Sequence, residues 1–259
     1  MKIIDPTTEQ VLRFCSRAPI ERVFLEDVCR RGLGRFVATV GADGELRALC
    51  HVGANLVPSG ELCGDFADAA AEGSSRMIIG EATAVTELWE AARYRLPSAR
   101  EDRPGQPVYA LSSPPPSGET GLREARPSDL ERLLPACAAA HQLELGIDPL
   151  AADPESFRWR TLTQLDEGRS WLWLEDGVVR FKAEASAWTP AAVQIQQVWV
   201  DPEARGRGDG ARGLRDLCRL LLAETPQVCL FVRSENAPAI ALYDAIGMQR
   251  VLEYRSVLF

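Results

Sequence analysis

At 259 residues, with 46% hydrophobic and 25% charged side chains, the chain is long enough for one large domain or two ordinary ones and can bury a sizeable core. No run of about 18 apolar residues occurs, which argues against a membrane-spanning helix, and residues 1–5 lack the apolar stretch of a secretory signal. A net charge of −8 disfavours a nucleic-acid partner and suits a cationic one, while seven scattered cysteines without a Cys-x-x-Cys pair point to reduced thiols in a cytoplasmic protein, not to a metal site or disulfide scaffold.

Taken in chain order, apolar periodicity predicts helices over about 7–16 and 20–31. Strands follow at Arg35–Val40 and Glu45–Gly53, joined through Ala42-Asp43-Gly44, and Asn55-Leu56-Val57 extends the sheet. A helix near 64–73, a strand at Arg76–Ile79, a helix over 81–94 and a strand at Val108–Leu111 complete the first half. Residues 112–118, Ser-Ser-Pro-Pro-Pro-Ser-Gly, are too proline-rich for an element interior and read as a linker between a domain at 1–111 and another at 119–259.

In the second half a strand near Leu122 precedes a helix opened by a capping box, Ser128 to Glu131, which Pro135 kinks or splits. Asp153-Pro154 opens another helix, closed by Gly168. Two strands around Asp176-Gly177 form a hairpin, because that dipeptide supplies the positive φ angles of the turn. A strand over Val193–Val200, a helix over 209–224 ended by Pro226, a buried strand at 228–232 and a helix capped by Asn236 and stopped at Gly247 follow.

The densest chemical signal is the segment Arg205-Gly206-Arg207-Gly208-Asp209-Gly210-Ala211 between a strand and a helix. Glycines there let successive backbone N–H groups converge on an anion, and the helix dipole and two arginines add positive potential. A nucleotide P-loop is excluded because no Lys-Ser/Thr pair follows, and the glycine spacing does not fit a dinucleotide fingerprint. An ordinary surface turn is the plain alternative. The spacing Arg205-x-x-Gly208-x-Gly210, followed after one helix and one strand by Asn236-x-Pro238-Ala239-x-x-x-Tyr243-x-x-x-Gly247-Met248, resembles the GNAT superfamily of N-acetyltransferases.

That resemblance implies an α/β (α+β) fold of two GNAT-like domains, each a mixed, mostly antiparallel sheet flanked by helices, the first degenerate. Carboxylates stand in the first half where a phosphate loop would need arginines, over Pro58–Asp65, and the layout resembles bacterial tandem GNAT proteins with an uncharacterised N-terminal domain. It further implies acetyl-CoA as cosubstrate without a metal, bound by Val198, Trp199, Val200, Arg205, Gly206, Arg207, Gly208, Asp209, Gly210, Ala211 and Asn236. Acetyl transfer would go directly to a primary amine of a small molecule or protein. The Val198 N–H would face the thioester oxygen and Tyr243 would protonate the departing thiolate. Trp199 would pack either in the core or against the cofactor arm. Glu184 would be the base, with a simple ion pair to Lys182 as its alternative role. His141 reads as structural, and Asp209 opposes a pyrophosphate unless it pairs with Arg205 or Arg212. Phe231 stands where relatives acting on ribosomal N-termini carry glutamate, which weakens that substrate. A non-catalytic acyl-CoA sensor is the alternative function. Acceptor and oligomeric state are not legible.

Overall fold

The computed structural model describes residues 2–259. The first half runs β1 (Lys2–Ile4), α1 (Thr8–Cys15), α2 (Val23–Arg30), β2 (Arg35–Val40), β3 (Leu46–Val52), β4 (Leu56–Gly60), α3 (Ala67–Ala71), β5 (Met77–Glu81), α4 (Ala82–Ala92) and β6 (Glu101–Leu111). The second half runs β7 (Arg123–Glu124), α5 (Leu130–Leu145), α6 (Pro149–Ala152), α7 (Pro154–Asp166), β8 (Ser170–Glu175), β9 (Val178–Trp188), β10 (Val193–Val200), α8 (Asp209–Leu222), β11 (Val228–Phe231), α9 (Ala237–Ala245) and β12 (Gln249–Leu258).

All the strands join one sheet of order β1-β2-β3-β4-β5-β12-β6-β11-β10-β9-β8-β7. It is mostly antiparallel, with parallel pairing where β4 meets β5 and β10 meets β11. The two halves exchange their last strands. β12, the end of the chain, pairs with β5 of the first half, and β6 pairs with β11 of the second. The expected boundary at 112–118 therefore does not divide the sheet. Pro104 and Pro107 mask β6 in the sequence, since proline cannot donate to a ladder. The structure accommodates Pro104 and Gly105 (φ +65°) where the pairing with β12 slips between Gln106 and Arg103.

Residues 112–118 also differ from a free linker. The Asp216 carboxylate on α8 accepts the N–H groups of Gly118 (2.7 Å) and Thr120 (2.8 Å) and the Thr120 hydroxyl, and Arg219 donates to the Pro115 carbonyl. Burial opposes the charge on Asp216, but these donors hold its pKa below the usual carboxylate value. The start of α5 is a further correction. Ser128 lies in a 3₁₀ turn, and Asp129 is the carboxylate that accepts the Arg126 N–H (2.9 Å) and a fork of two bonds from Arg123. Helix α5 then continues through Pro135 without a break.

Other local expectations follow their physics. Asp176 (φ +50°) and Gly177 (φ +78°) make the hairpin turn between β8 and β9, and Asp153 caps α7 through the Ser156 N–H. Across the halves, Val23 on α2 packs with Ala187, Ala192 and Cys229. Asp27, 2% exposed, receives two bonds from Arg169 (2.7 and 3.1 Å) and the Trp188 N–H (3.2 Å). All seven cysteines are free thiols. Burial pushes those of Cys15, Cys50, Cys137, Cys218 and Cys229 up to about 12, so they are poor nucleophiles. Among the described residues no helix is long and apolar enough to cross a membrane.

Candidate functional site

The site begins where β10 and β11 part. They pair only at Val193–Val228 and Gln194–Cys229, so β10 runs on from Ile195 with one edge unpaired towards β11. On its other side β10 pairs with β9 at Gln196–Glu184 and again at Trp199–Lys182, leaving Gln197 and Val198 in a bulge. Gln197 has φ +52°, a left-handed conformation unusual for a residue with a side chain. The extra residue reverses the faces of the strand. Val193 and Ile195 pack into the core beneath α8 and α9, and after the bulge Val198 and Val200 take that face. Trp199 turns to the opposite side, among Leu133, Phe157 and Leu172. It is half-buried there, packed against that part of the core.

On the α8 face the chain leaves β10 and passes to the helix through Arg205 to Gly210. Gly206 (φ +76°) and Gly208 (φ +86°) take conformations that disfavour side chains, with open space where a Cβ would stand. Gly208 is the N-cap of α8, and no side chain satisfies the first turn. Arg205 and Arg207 are exposed, the former donating to the Val200 carbonyl at 3.3 Å. Asp209 pairs with Arg212 at 3.5 Å, which offsets its charge beside the loop. Gly210 lies against Val200, and Ala211 packs on the core. Asn236 caps α9 through the Ala239 N–H at 3.3 Å. Tyr243, one face of that helix, is buried with its ring 5.5 Å from that of Tyr109 on β6. Burial, with the charge of Glu144 adding to it, raises the pKa of its hydroxyl, so Tyr243 holds its proton.

On the opposite face of the same opening lies a cavity of about 490 Å³. Gln194, Gln196, Phe231 and Glu184 form its floor, and α5 and α7 cover it with Cys137, His141, Glu144 and Phe157. The first half closes the remaining side with Glu21, Phe24, Val57 and Ile79. The Glu21 carboxylate accepts the Ser59 hydroxyl (2.6 Å), and Tyr254 on β12 donates to the Glu21 carbonyl (2.8 Å). Beneath Glu184 the Lys182 ammonium is fully buried and ion-paired with it. Burial alone would lower the Lys182 pKa, but the carboxylate outweighs it and the net direction is upward. His141 stands edge-on to Phe157 at 5.7 Å; burial lowers its pKa and keeps it neutral.

A family model described as the acetyltransferase (GNAT) family matches residues 136–248, and one described as a domain of unknown function, DUF4081, matches 36–133. The second half is a GNAT acetyltransferase domain. The GNAT stretch is similar to an N-alpha-acetyltransferase RimI of Mycobacterium tuberculosis, 44% identical over 24% of this chain and 38% of that one. A mycothiol acetyltransferase of a Nocardioides species is 34% identical over 37% of this chain and 33% of that one. The chain thus matches little more than a third of the length of these curated relatives. A solved tandem GNAT protein from the clavulanic acid pathway covers 99% of this chain and 98% of its own at TM-score 0.54 and 12% identity, which carries the tandem fold across both halves.

The GNAT-like first half shows why it is degenerate. Strands β4 and β5 pair only at Leu56–Ile78, the same parting as in the second half. There, however, the Cys63 N–H at the start of the following 3₁₀ turn donates to the Glu87 carboxylate of α4 at 2.7 Å. The turn there is thus capped by a carboxylate of the chain itself. Two features of the GNAT domain were not foreseen, the Gln197 bulge and Glu144. Both had a readable signal. The apolar phase of β10 shifts from odd positions, 193 and 195, to even ones, 198 and 200. Cys137, His141 and Glu144 recur at helical spacing on one face of α5.

Proposed function

We propose that the protein transfers the acetyl group of acetyl-CoA to a primary amine held in the cavity between its halves. One observation carries this reading. The parting of β10 and β11 has an anion-ready loop on one face and a carboxylate-lined cavity on the other, so two reactants can meet through the sheet. The loop fits the pyrophosphate of acetyl-CoA: Gly206 and Gly208 leave room for close backbone approach, the α8 N-terminus lacks a side-chain cap, and Arg205 and Arg207 are exposed. Asp209, the residue most at odds with this ligand, is paired with Arg212.

When bound, acetyl-CoA supplies the activated acyl thioester. The unpaired edge of β10 would align its pantetheine arm, and the Val198 N–H, outside the ladder, would donate to the thioester oxygen as charge develops there. Tyr243, protonated and buried on the same face, would give its proton to the leaving thiolate. The names of the two relatives, an N-alpha-acetyltransferase and a mycothiol acetyltransferase, both specify acetyl transfer. Phe231, against the ring of Tyr254 at 5.3 Å, gives the floor an apolar patch beside Gln194, Gln196 and Glu184 and favours a small amine with an apolar body over a polar peptide end. The buried, reduced thiols fit a cytoplasmic setting.

Calorimetry with acetyl-CoA on the chain carrying Arg205→Ala and Gly208→Glu tests the loop, and a transfer screen over small amines and peptides tests the chemistry. Binding is expected to vanish while the circular dichroism spectrum is retained. Retained binding would remove the loop as the site, and binding without transfer to any amine would favour an acyl-CoA sensor.

A further inference from the structure

The cavity offers the acceptor amine two carboxylates, Glu184 and Glu144, and they are held very differently. Glu184 lies two residues from Lys182 on the same face of β9, and its Oε1 atom serves both the Lys182 ammonium and the Cys137 thiol, the latter at 3.6 Å. Without this carboxylate Lys182 would be a fully buried cation with no counter-charge. Glu184 is thereby committed to its ion pair.

Glu144 has no such tether. It ends the cavity-facing side of α5, and its carboxylate accepts a hydrogen bond from the neutral side-chain amide of Gln197, the extra residue of the β10 bulge. No ion pair to its side chain occurs among the described residues. Its position is nevertheless fixed. Arg233 donates to the carbonyls of Leu143 and Glu144 at 2.7 Å each, and Arg103 to that of Glu144 at 3.1 Å, so the end of α5 is pinned over the opening of the sheet. The charged and titratable groups facing it are Arg103 from β6, Arg233 beyond β11, Glu184 from β9, Tyr243 from α9 and His141 on its own helix. Glu144 itself is exposed at the mouth of the cavity; desolvation by the walls around it raises its pKa, the two guanidiniums and the Gln197 amide oppose that, and the charge of Glu184 reinforces it, with the net direction upward.

We infer that Glu144 takes the proton from the acceptor ammonium, while Glu184, locked to Lys182, is the fixed anion that anchors it. This rests on the acetyl-transfer reading. Glu144 removes one proton from the ammonium and returns it to solvent at the mouth of the cavity. The freed nitrogen lone pair forms the C–N bond as the C–S bond breaks. Tyr243 gives its proton to the thiolate and is made whole by the second proton leaving the nitrogen.

Two probes separate the roles in the full-length chain: benzylamine, an ammonium at neutral pH, and aniline, which is already unprotonated. With acetyl-CoA saturating, E144Q is expected to lower kcat for benzylamine by roughly a hundredfold and to flatten the acid side of its pH profile. Transfer to aniline should fall far less. E184Q should instead raise the KM for benzylamine. Equal losses for both amines in E144Q, or full transfer to benzylamine in that variant, would overturn this inference alone. No transfer to either amine by the unaltered chain would overturn the acetyl-transfer reading and this one with it. A carbon-13 titration of the glutamate carboxyls is independent of turnover. A resonance titrating above the ordinary range should disappear in E144Q, and its persistence would overturn the assignment.

Discussion

Gly213 on α8 tests whether the loop is held by packing of the helix behind it. A Cβ placed there would stand 2.5, 2.6 and 2.9 Å from three ring carbons of Phe181, which is fully buried on β9. Ordinary contact begins near 3.4 Å, so Gly213→Ala needs a retreat of about 0.9 Å by helix or ring (3.4 minus 2.5). A rigid ring in a packed core offers little give, which places the strain towards the top of the usual overpacking range of ~1–3 kcal/mol. Alanine recovers about 1 kcal/mol of helix propensity. The net expectation is a loss of about 2 kcal/mol in urea denaturation with an unchanged slope. Because the Gly206–Gly208 turn leads directly into α8, acetyl-CoA affinity should fall as well. Adding Phe181→Leu should return part of both losses. A Gly213→Ala protein as stable as the parent, or more so, would refute the argument, since propensity would then outweigh packing.

Two further substitutions have defined outcomes. Asp27→Ala should cost about 3 kcal/mol, the low end for breaking a buried pair, because Arg169 would keep only its longer contact to Glu167 at 3.4 Å. In a double-mutant cycle, Asp27→Ala with Arg169→Ala should cost clearly less than the sum of the two; additivity would mean that the pair is not coupled. Asp129 has its pKa lowered from 3.8 to about 2, chiefly by the Arg123 fork against a burial that opposes it. A depressed carboxylate contributes stability that is complete above its unfolded value and is lost as pH falls through the folded one. Stability should therefore drop by about 1 kcal/mol between pH 3.8 and about 2, a linkage figure reduced because Arg123 is 42% exposed. Asp129→Asn should remove that segment of the acid denaturation curve, and an unchanged curve would show that the fork does not stabilise the fold.

What was legible in the chain was whatever is fixed by neighbours in sequence. The Asp176-Gly177 turn, the Asn236 cap and the glycine conformations at 206 and 208 depend on local backbone sterics, and each stands as expected. The burial of the cysteines follows from their apolar surroundings. Pairings between distant segments were not legible. Nothing around Val108 reveals that it lies beside Phe231 on one side and Leu252 on the other. The connection at 112–118 shows the same limit: proline content describes the segment's own stiffness, whereas its fixation comes from Asp216 about a hundred residues later. At the site, the loop was visible because its glycines are rare in such density. The placing of Glu144 on the face of Cys137 and His141 was readable, but what sets it apart was not, because that arises from Gln197 and two arginines drawn from other elements.

The exchange of final strands sets a condition on how this protein is made. Residues 249–258 leave the ribosome after every other strand of the sheet, yet they fill the place between β5 and β6. Until they arrive, the first half ends in an open strand edge, and β6 has a partner on one side only once β11 has been synthesised. Neither half can be completed and set aside while the other is translated, as ordinary tandem domains are. Exposed edges of this kind invite pairing with other chains, so the interval before residues 249–258 emerge is when a nascent copy is most exposed to aggregation. Deleting residues 249–258 would remove one strand of this sheet, but it would leave both halves unfinished.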